Sequence, residues 1–197
     1  NRGAAKEQAA KNGRRDPDHE FGTNPCSEII LRSKEFCNLT EIVVREDDTE
    51  ETLKQKVKLA TILGTWQSTL TNFKYLNKKW NENCEEERLL GVSMTGIMDC
   101  HLTNGKLHSH GPGGKPTKGL SELLRELKQV AIETNKEWAK KLNINQSAAI
   151  TCVKPSGTVS QLVDSASGIH ARHNPYYIRT VRADKKDPLA KMMKDAG

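Results

Sequence analysis

The residues of this chain best suited to chemistry are five cysteines, at positions 26, 37, 84, 100 and 152. Cys26 lies in the run Phe21-Gly22-Thr23-Asn24-Pro25-Cys26-Ser27-Glu28. Pro25 fixes its own φ and turns Asn24 away from helix, so Cys26 is expected on a stiff turn. Cys26 and Glu28 are two residues apart, and in an extended segment their side chains would share a side. A carboxylate next to a thiol raises the thiol pKa, which makes a poor thiolate nucleophile. The pairing better suits chemistry in which sulfur carries a hydrogen atom and the carboxylate acts as a base. Cys37, between Phe36 and Leu39, reads by itself more readily as a core residue. The odd cysteine count, with no CxxC and no Cys/His ladder, argues against a disulfide scaffold and a structural zinc site. Cys84, Cys100 and Cys152 are expected to be small buried hydrophobes.

A second motif, Lys154-Pro155-Ser156-Gly157-Thr158, has the chemistry of a phosphate cradle. Gly157 lets backbone N–H groups approach closely, and Ser156 and Thr158 add hydroxyl donors. Taken alone, it is also an ordinary turn and helix cap. His170 and His173 have no third ligand nearby in sequence, so structural or surface roles are expected and no metal site is assigned. Tyr176 and Tyr177 are read as strand packing. The pairs Arg14-Arg15 and Lys185-Lys186 are read as solvated.

These residues need elements to hold them. Residues 1–23 are polar, with a turn-rich connector at 12–17. Short buried strands are expected at Ile29 to Leu31 and Ile42 to Val44. Asp48 and Glu51 offer a capping box. Leu53, Val57, Ala60, Leu63, Trp66, Leu70 and Phe73 then recur at helical spacing. Residues 101–119 read as a Gly/Pro-broken loop, followed by a second helix with Leu120, Leu124, Leu127, Val130, Ala131 and Trp138 on one face. Further strands are expected at Ala148 to Val153 and Tyr176 to Val181. Strands separated by long helices indicate an α/β fold.

At 197 residues the chain is large enough for one domain or one lobe, although only 35% of it is hydrophobic. The net charge of +6 suits a phosphate-bearing partner, but 31 basic residues are interleaved with 25 acidic ones, as on a solvated mixed surface. No apolar run reaches the roughly 18–20 residues of a membrane span. Asn1-Arg2-Gly3-Ala4-Ala5 is not a secretory signal and lacks a starting Met. The expectation is a cytoplasmic protein whose sequence begins inside a longer reading frame.

Asn-Pro-Cys-x-Glu, then Phe-Cys-Asn-Leu, then Pro-Ser-Gly-Thr, followed by Ser167-Gly168-Ile169-His170, resemble in this order the active-site signature of adenosylcobalamin-dependent (class II) ribonucleotide reductases. The likeness is in particular to the monomeric ribonucleoside-triphosphate reductases of bacteria and phages, and its motifs run from residue 21 to 182. The resemblance implies that residues 1–197 are the second half of a ten-stranded α/β barrel with a catalytic finger loop, incomplete at both ends. It implies reduction of ribonucleoside triphosphates to 2′-deoxyribonucleotides, with adenosylcobalamin as cofactor.

By the same resemblance, Cys26 would be the thiyl-radical cysteine and Glu28 the base for the 3′-hydroxyl. Asn24 would hydrogen-bond the ribose hydroxyls, and Cys37 would be one half of the reducing pair. Pro155, Ser156, Gly157 and Thr158 would hold the substrate phosphates. The partner of Cys37, a site for an allosteric deoxynucleotide effector, most cobalamin contacts and the cysteines that take electrons from thioredoxin or another dithiol would lie outside these residues. The chain alone would then be inactive. No membrane association or direct nucleic-acid binding is expected. A diphosphate-specific or class I type reductase, a non-catalytic nucleotide-binding fragment, and one part of a split reductase remain as alternatives.

Overall fold

The computed structural model describes residues 2–105 and 119–197. Most of the loop expected at 101–119 therefore lies outside the described residues. The element that organises the rest is a parallel strand pair, β3 (Asn38–Val43) and β4 (Leu90–Thr95), in the register Leu39 opposite Gly91 and Glu41 opposite Ser93. A third segment continues this sheet alongside β4. Leu90 N–H donates to Ala149 O at 2.9 Å, Val92 N–H to Ile150 O at 2.8 Å and Cys152 N–H to Val92 O at 3.1 Å. The strand expected at 148–153 is thus present as a short parallel ladder, with Val92 paired to Thr151.

Two long helices cover one face of this sheet, α2 (Glu50–Gln67) and α4 (Leu120–Leu142). Ile42, Val44 and Val92 from the sheet meet Leu53, Val57 and Ala60 of α2 and Leu123, Leu127 and Ala131 of α4 in the main core. Helix α2 starts one residue later than expected. Thr49 is its N-cap and exchanges hydrogen bonds with Thr52, while Asp48 instead accepts from Arg45 N–H and Lys56. The helix also stops at Gln67, short of Leu70 and Phe73, where Ser68, Thr69 and Thr71 turn side chains and N–H groups onto nearby carbonyls. Leu63, Trp66 and Leu70, read from periodicity as part of the buried stripe, are exposed, with Trp66 edge-on to Trp138. In α4 the buried line runs through Leu123, Leu127, Ala131, Asn135 and Ala139. Asn135 is buried but fully engaged, donating to Thr65 and Ser147 hydroxyls and accepting from Ser147 N–H. The helix ends on Asn143 in the left-handed region, φ 54°, with Ile144 N–H returning to Ala139 O.

On the opposite side lies an antiparallel hairpin, β1 (Phe21–Thr23) and β2 (Ile30–Arg32), whose tip is the loop 24–29. Two further helices, α1 (Arg2–Asn12) and α3 (Lys78–Glu87), lie where no helix was expected. A single turn, α5 (Val159–Leu162), and α6 (Pro188–Ala196) complete the elements described. Tyr176–Val181 is not a strand: no described strand pairs with it, and Ile178 is 98% exposed. The reading of the pair Arg14-Arg15 as solvated holds for Arg14, which is exposed, and fails for Arg15. Arg15 is buried, with its guanidinium 2.6 Å from Glu87 and 3.5 Å from Glu35, and Arg14, though exposed, donates to Glu86 O.

Gly91 sets how closely the hairpin and the sheet can approach. A Cβ there would lie 2.4 Å from a Leu39 methyl, 3.1 Å from Cys152 Sγ and 3.2 Å from Ile29 Cδ1. Gly91→Ala is therefore expected to destabilise the fold by about 1–3 kcal/mol through overpacking. A urea denaturation midpoint unchanged from the parent would show that this face is looser than described.

Candidate active site

The hairpin tip is built on Asn24. Its N–H donates to Ile29 O at 3.2 Å, its carbonyl accepts from Ser27 N–H at 3.0 Å, and its Oδ1 accepts from Ile29 N–H at 3.1 Å. One amide side chain thus closes the loop that carries Cys26, and its NH₂ group faces no bond that this closure requires. Pro25 and Cys26 occupy the turn, and Ser27 takes a left-handed conformation, φ 62°. That turn breaks the extended alternation expected from sequence, so Cys26 and Glu28 do not share a side. Cys26 is exposed at the tip, whereas the Glu28 side chain is only 3% exposed.

Glu28 is directed into a polar patch on the sheet face away from α2 and α4. Among the described residues its two carboxylate oxygens have no hydrogen-bond donor, and the nearest cation is Lys154, with Nζ 3.6 Å from Oε1. A buried carboxylate without donors is costly, and a hydroxyl supplied by a bound molecule would relieve that cost. Cys37 and Cys152 border the same patch. Burial pushes the Cys37 thiol up to about 12, helped by the neighbouring Cys152, Glu35 and Glu28. Burial, then Glu28, pushes the Cys152 thiol up to about 11. Both therefore stay S–H at neutral pH, which disfavours thiolate chemistry and suits hydrogen transfer.

The second motif reaches the same patch from the other end. Lys154 N–H donates to Ser93 Oγ at 2.9 Å, and Ser156 Oγ lies 3.2 Å from Glu41 Oε2. Burial raises the Glu41 pKa, with Ser156 and Lys154 opposing. Gly157 adopts φ 57°, a conformation that glycine takes without strain, and so lets the chain turn between Ser156 and Thr158. The helix that follows is one turn long, too short for its dipole to add much at Thr158. Any phosphate binding there must rest on the turn itself and on Lys154.

Of the residues singled out by sequence, Glu28, Cys37, Ser156 and their neighbours are brought together, and Cys26 and Asn24 form the loop above them. Lys154 as the counter-charge of Glu28, Glu41 and Ser93 on the sheet, and Cys152 were not foreseen. Cys84 and Cys100 are buried as expected, whereas Cys152 is half-buried, packed against the apolar cluster of Ile29, Leu89 and Ala148. Its alignment beside Ser93 depends on the parallel ladder, which no local pattern reveals. His170 and His173 are exposed, and among the described residues no group of three or more His, Cys, Asp or Glu could hold a metal ion. No described helix is long and apolar enough to cross a membrane.

No family model matches the chain. Curated relatives and solved structures do. The fold recurs in the Actinobacillus ureae class Id ribonucleotide reductase alpha subunit, with a TM-score of 0.59 at 14% identity over 99% of this chain and 38% of that one. A B-12 dependent (class II) ribonucleotide reductase crystal structure matches with a TM-score of 0.59 at 30% identity, over 78% of this chain and 23% of that one. In fold and in site sequence, then, this chain is similar to a segment of ribonucleotide reductases.

The curated relatives narrow the class. The adenosylcobalamin-dependent ribonucleoside-triphosphate reductases of Lactobacillus gasseri and Lactobacillus acidophilus are 32% and 33% identical, over 89% and 92% of this chain. That of Euglena gracilis is 30% identical over 90% of it. The chain spans about a quarter of the length of the curated relatives it matches: 25%, 26% and 22%. The resemblance to adenosylcobalamin-dependent ribonucleoside-triphosphate reductases, read from four short motifs, thus extends along nearly the whole sequence.

Proposed function

We propose that this chain carries the thiyl-radical site of an adenosylcobalamin-dependent reductase that converts ribonucleoside triphosphates to 2′-deoxyribonucleoside triphosphates. The observation that carries this reading is Glu28: a buried carboxylate without hydrogen-bond donors, beneath an exposed cysteine and beside two protonated thiols. The described elements belong to part of a ten-stranded α/β barrel, with loop 24–29 as its finger. Residues 1–197 form a part of that barrel domain, and the setting is cytoplasmic.

Each residue has a task in this reading. The Cys26 thiol is exposed at the end of a stiff turn and so is open to a radical source, which fits the cofactor named in the relatives. When bound, adenosylcobalamin supplies the one-electron oxidation that makes Cys26 a thiyl radical. Cys26 then takes the 3′ hydrogen of the ribose and later returns it. Glu28 accepts the 3′-hydroxyl proton while the 2′-hydroxyl leaves as water, and Lys154 lies 3.6 Å from it as a counter-charge. Asn24 spends its Oδ1 on the loop and has its NH₂ to offer the ribose hydroxyls. Pro155, Ser156, Gly157 and Thr158 form the turn that receives the phosphates. Cys37 gives one of the two S–H hydrogens consumed. The overall balance is one ribonucleotide and two thiols giving one deoxyribonucleotide, one water and one disulfide. A dithiol reductant such as thioredoxin restores the pair, and a deoxynucleotide effector tunes substrate choice.

Cys37→Ser in the intact protein separates the two halves of this scheme. Release of 3′ tritium from labelled substrate is expected to persist, while deoxynucleotide formation falls to background. Repeated turnover by the variant with a dithiol would remove Cys37 from the chemistry and leave it a packing residue.

A further inference from the structure

We infer that Lys154 is shared between the two ends of the site: its ammonium pairs with Glu28 while the Pro155–Thr158 turn is empty, and passes to the phosphates of a bound nucleotide, leaving Glu28 for the ribose hydroxyl. That the anion is a ribonucleotide rests on the reductase reading above. The competition of two anions for one cation does not.

The sheet puts Lys154 within reach of both. Its N–H donates to Ser93 Oγ at 2.9 Å, which fixes the backbone at the end of the 148–152 ladder. Its side chain is 32% exposed against 3% for that of Glu28, and Nζ stands 3.6 Å from Oε1. At that separation the two form an ion pair without a hydrogen bond, and Glu28 keeps both oxygens without a donor. A lysine ammonium rides on a flexible four-carbon stem. The turn begins at the very next residue, so rotation about that stem brings the same Nζ to either anion.

The turn itself lacks a cation. Of residues 154–158 only Lys154 is charged. Ser156 spends its hydroxyl on Glu41, while the N–H groups of Ser156, Gly157 and Thr158 have no acceptor among the described residues. A Cβ on Gly157 would meet no atom within 4 Å, so the turn is open there. A phosphate seated on it gains neutral donors from the backbone and needs the positive charge of Lys154. Charge-assisted hydrogen bonds from the ammonium to phosphate oxygens are stronger than a 3.6 Å contact without a hydrogen bond, so the ammonium gains by moving.

Its departure leaves Glu28 buried with neither donor nor cation, and a ribose hydroxyl supplies the missing donor. The carboxylate thus engages the sugar only once the phosphates are seated. Lys154 is a positioning residue in this scheme, acting on the chemistry through Glu28.

The test is calorimetric titration of the intact protein with inorganic tripolyphosphate, in the parent, Lys154→Met, Glu28→Gln and the double variant. Because linkage is reciprocal, a carboxylate that competes for the ammonium weakens phosphate binding, and its removal strengthens it. Lys154→Met is expected to weaken tripolyphosphate binding about tenfold or more, and Lys154→Arg to restore most of it. Glu28→Gln is expected to tighten binding about tenfold, and to lose that effect when Lys154 is already Met. Lys154→Gln takes the place of Lys154→Met if the latter does not fold. Equal tightening by Glu28→Gln with and without Lys154 would show simple repulsion between Glu28 and the anion and overturn the inference. So would binding that ignores either single substitution, or a parent that does not bind tripolyphosphate. The titration involves no cobalamin, nucleoside or turnover, whereas the reductase reading is judged by 3′ tritium release, so either can fail without the other.

Discussion

Replacing Cys26 by serine is expected to abolish deoxynucleotide formation in the intact protein, a loss on the order of 10³-fold or more, corresponding to at least ~4 kcal/mol in activation free energy. The physical reason is bond strength. A serine O–H is much stronger than a thiol S–H, so a radical source able to oxidise sulfur cannot make the alkoxyl radical. The change should leave the fold untouched, because Cys26 is exposed and the loop is closed by Asn24 and Ile29 instead. Circular dichroism and urea midpoints should therefore match the parent while turnover vanishes, and release of 3′ tritium should vanish with it. That last readout distinguishes Cys26 from Cys37, whose serine variant keeps the exchange. Deoxynucleotide production above a few per cent of the parent would reject Cys26 as the radical site.

Legibility of the site divided along physical lines. Asn24, Pro25, Cys26 and Glu28 lie within five residues, and the turn they form is dictated locally, so their proximity could be read directly. Their orientation could not. Whether Cys26 and Glu28 share a side hinges on Ser27 adopting a positive φ, which an Asn-Pro-Cys-Ser run permits but does not require. Lys154 next to Glu28, and Ser156 next to Glu41, are consequences of where the 148–152 ladder settles against β4, and such long-range register leaves no trace in either segment alone.

The fold was legible where apolar spacing was strong. Helices α2 and α4 and strands β2 and β3 followed from it, with shifts at their ends. Helices α1 and α3 were not legible, because among the described side chains α1 buries only Ala5 and Ala9, and α3 has almost no apolar stripe. What α3 buries instead is Asn83, Cys84 and Glu87. Periodicity of hydrophobic residues cannot reveal an element anchored by ion pairs, and the same blindness made Arg15 look like a surface residue.

That ion-paired anchor gives the largest expected effect on stability. Arg15, Arg32, Glu35 and Glu87 have side chains 5%, 7%, 0% and 2% exposed. Glu87 is 2.6 Å from Arg15 and 3.0 Å from Arg32, and Glu35 accepts from Arg32 N–H at 2.8 Å. The group fastens the connector after α1 and the end of β2 to α3, directly ahead of Cys37. Glu87→Ala would remove the 2.6 Å partner of Arg15 and leave the two buried guanidinium groups with Glu35 and the largely exposed Glu86, and is expected to cost about 3–5 kcal/mol. A loss below ~1 kcal/mol would mean that water reaches the cluster. The Glu35 carboxyl supplies a pH signature: burial, then the adjacent Glu87, pushes it up to about 8. A carboxyl that binds its proton more tightly folded than unfolded contributes stability that is fully present below its unfolded value, near 4.5, and is lost as pH rises through about 8. In that window the folded state binds more protons, so the slope of unfolding free energy with pH is negative for this group. Glu35→Gln keeps an oxygen for Arg32 N–H and removes the titration. The difference in stability between parent and Glu35→Gln should therefore shift in favour of the variant as pH is raised from about 5 to about 8, as read by urea unfolding at each pH. A difference that stays flat across that range would mean that Glu35 is already ionised in the fold, and that the two arginines outweigh its burial.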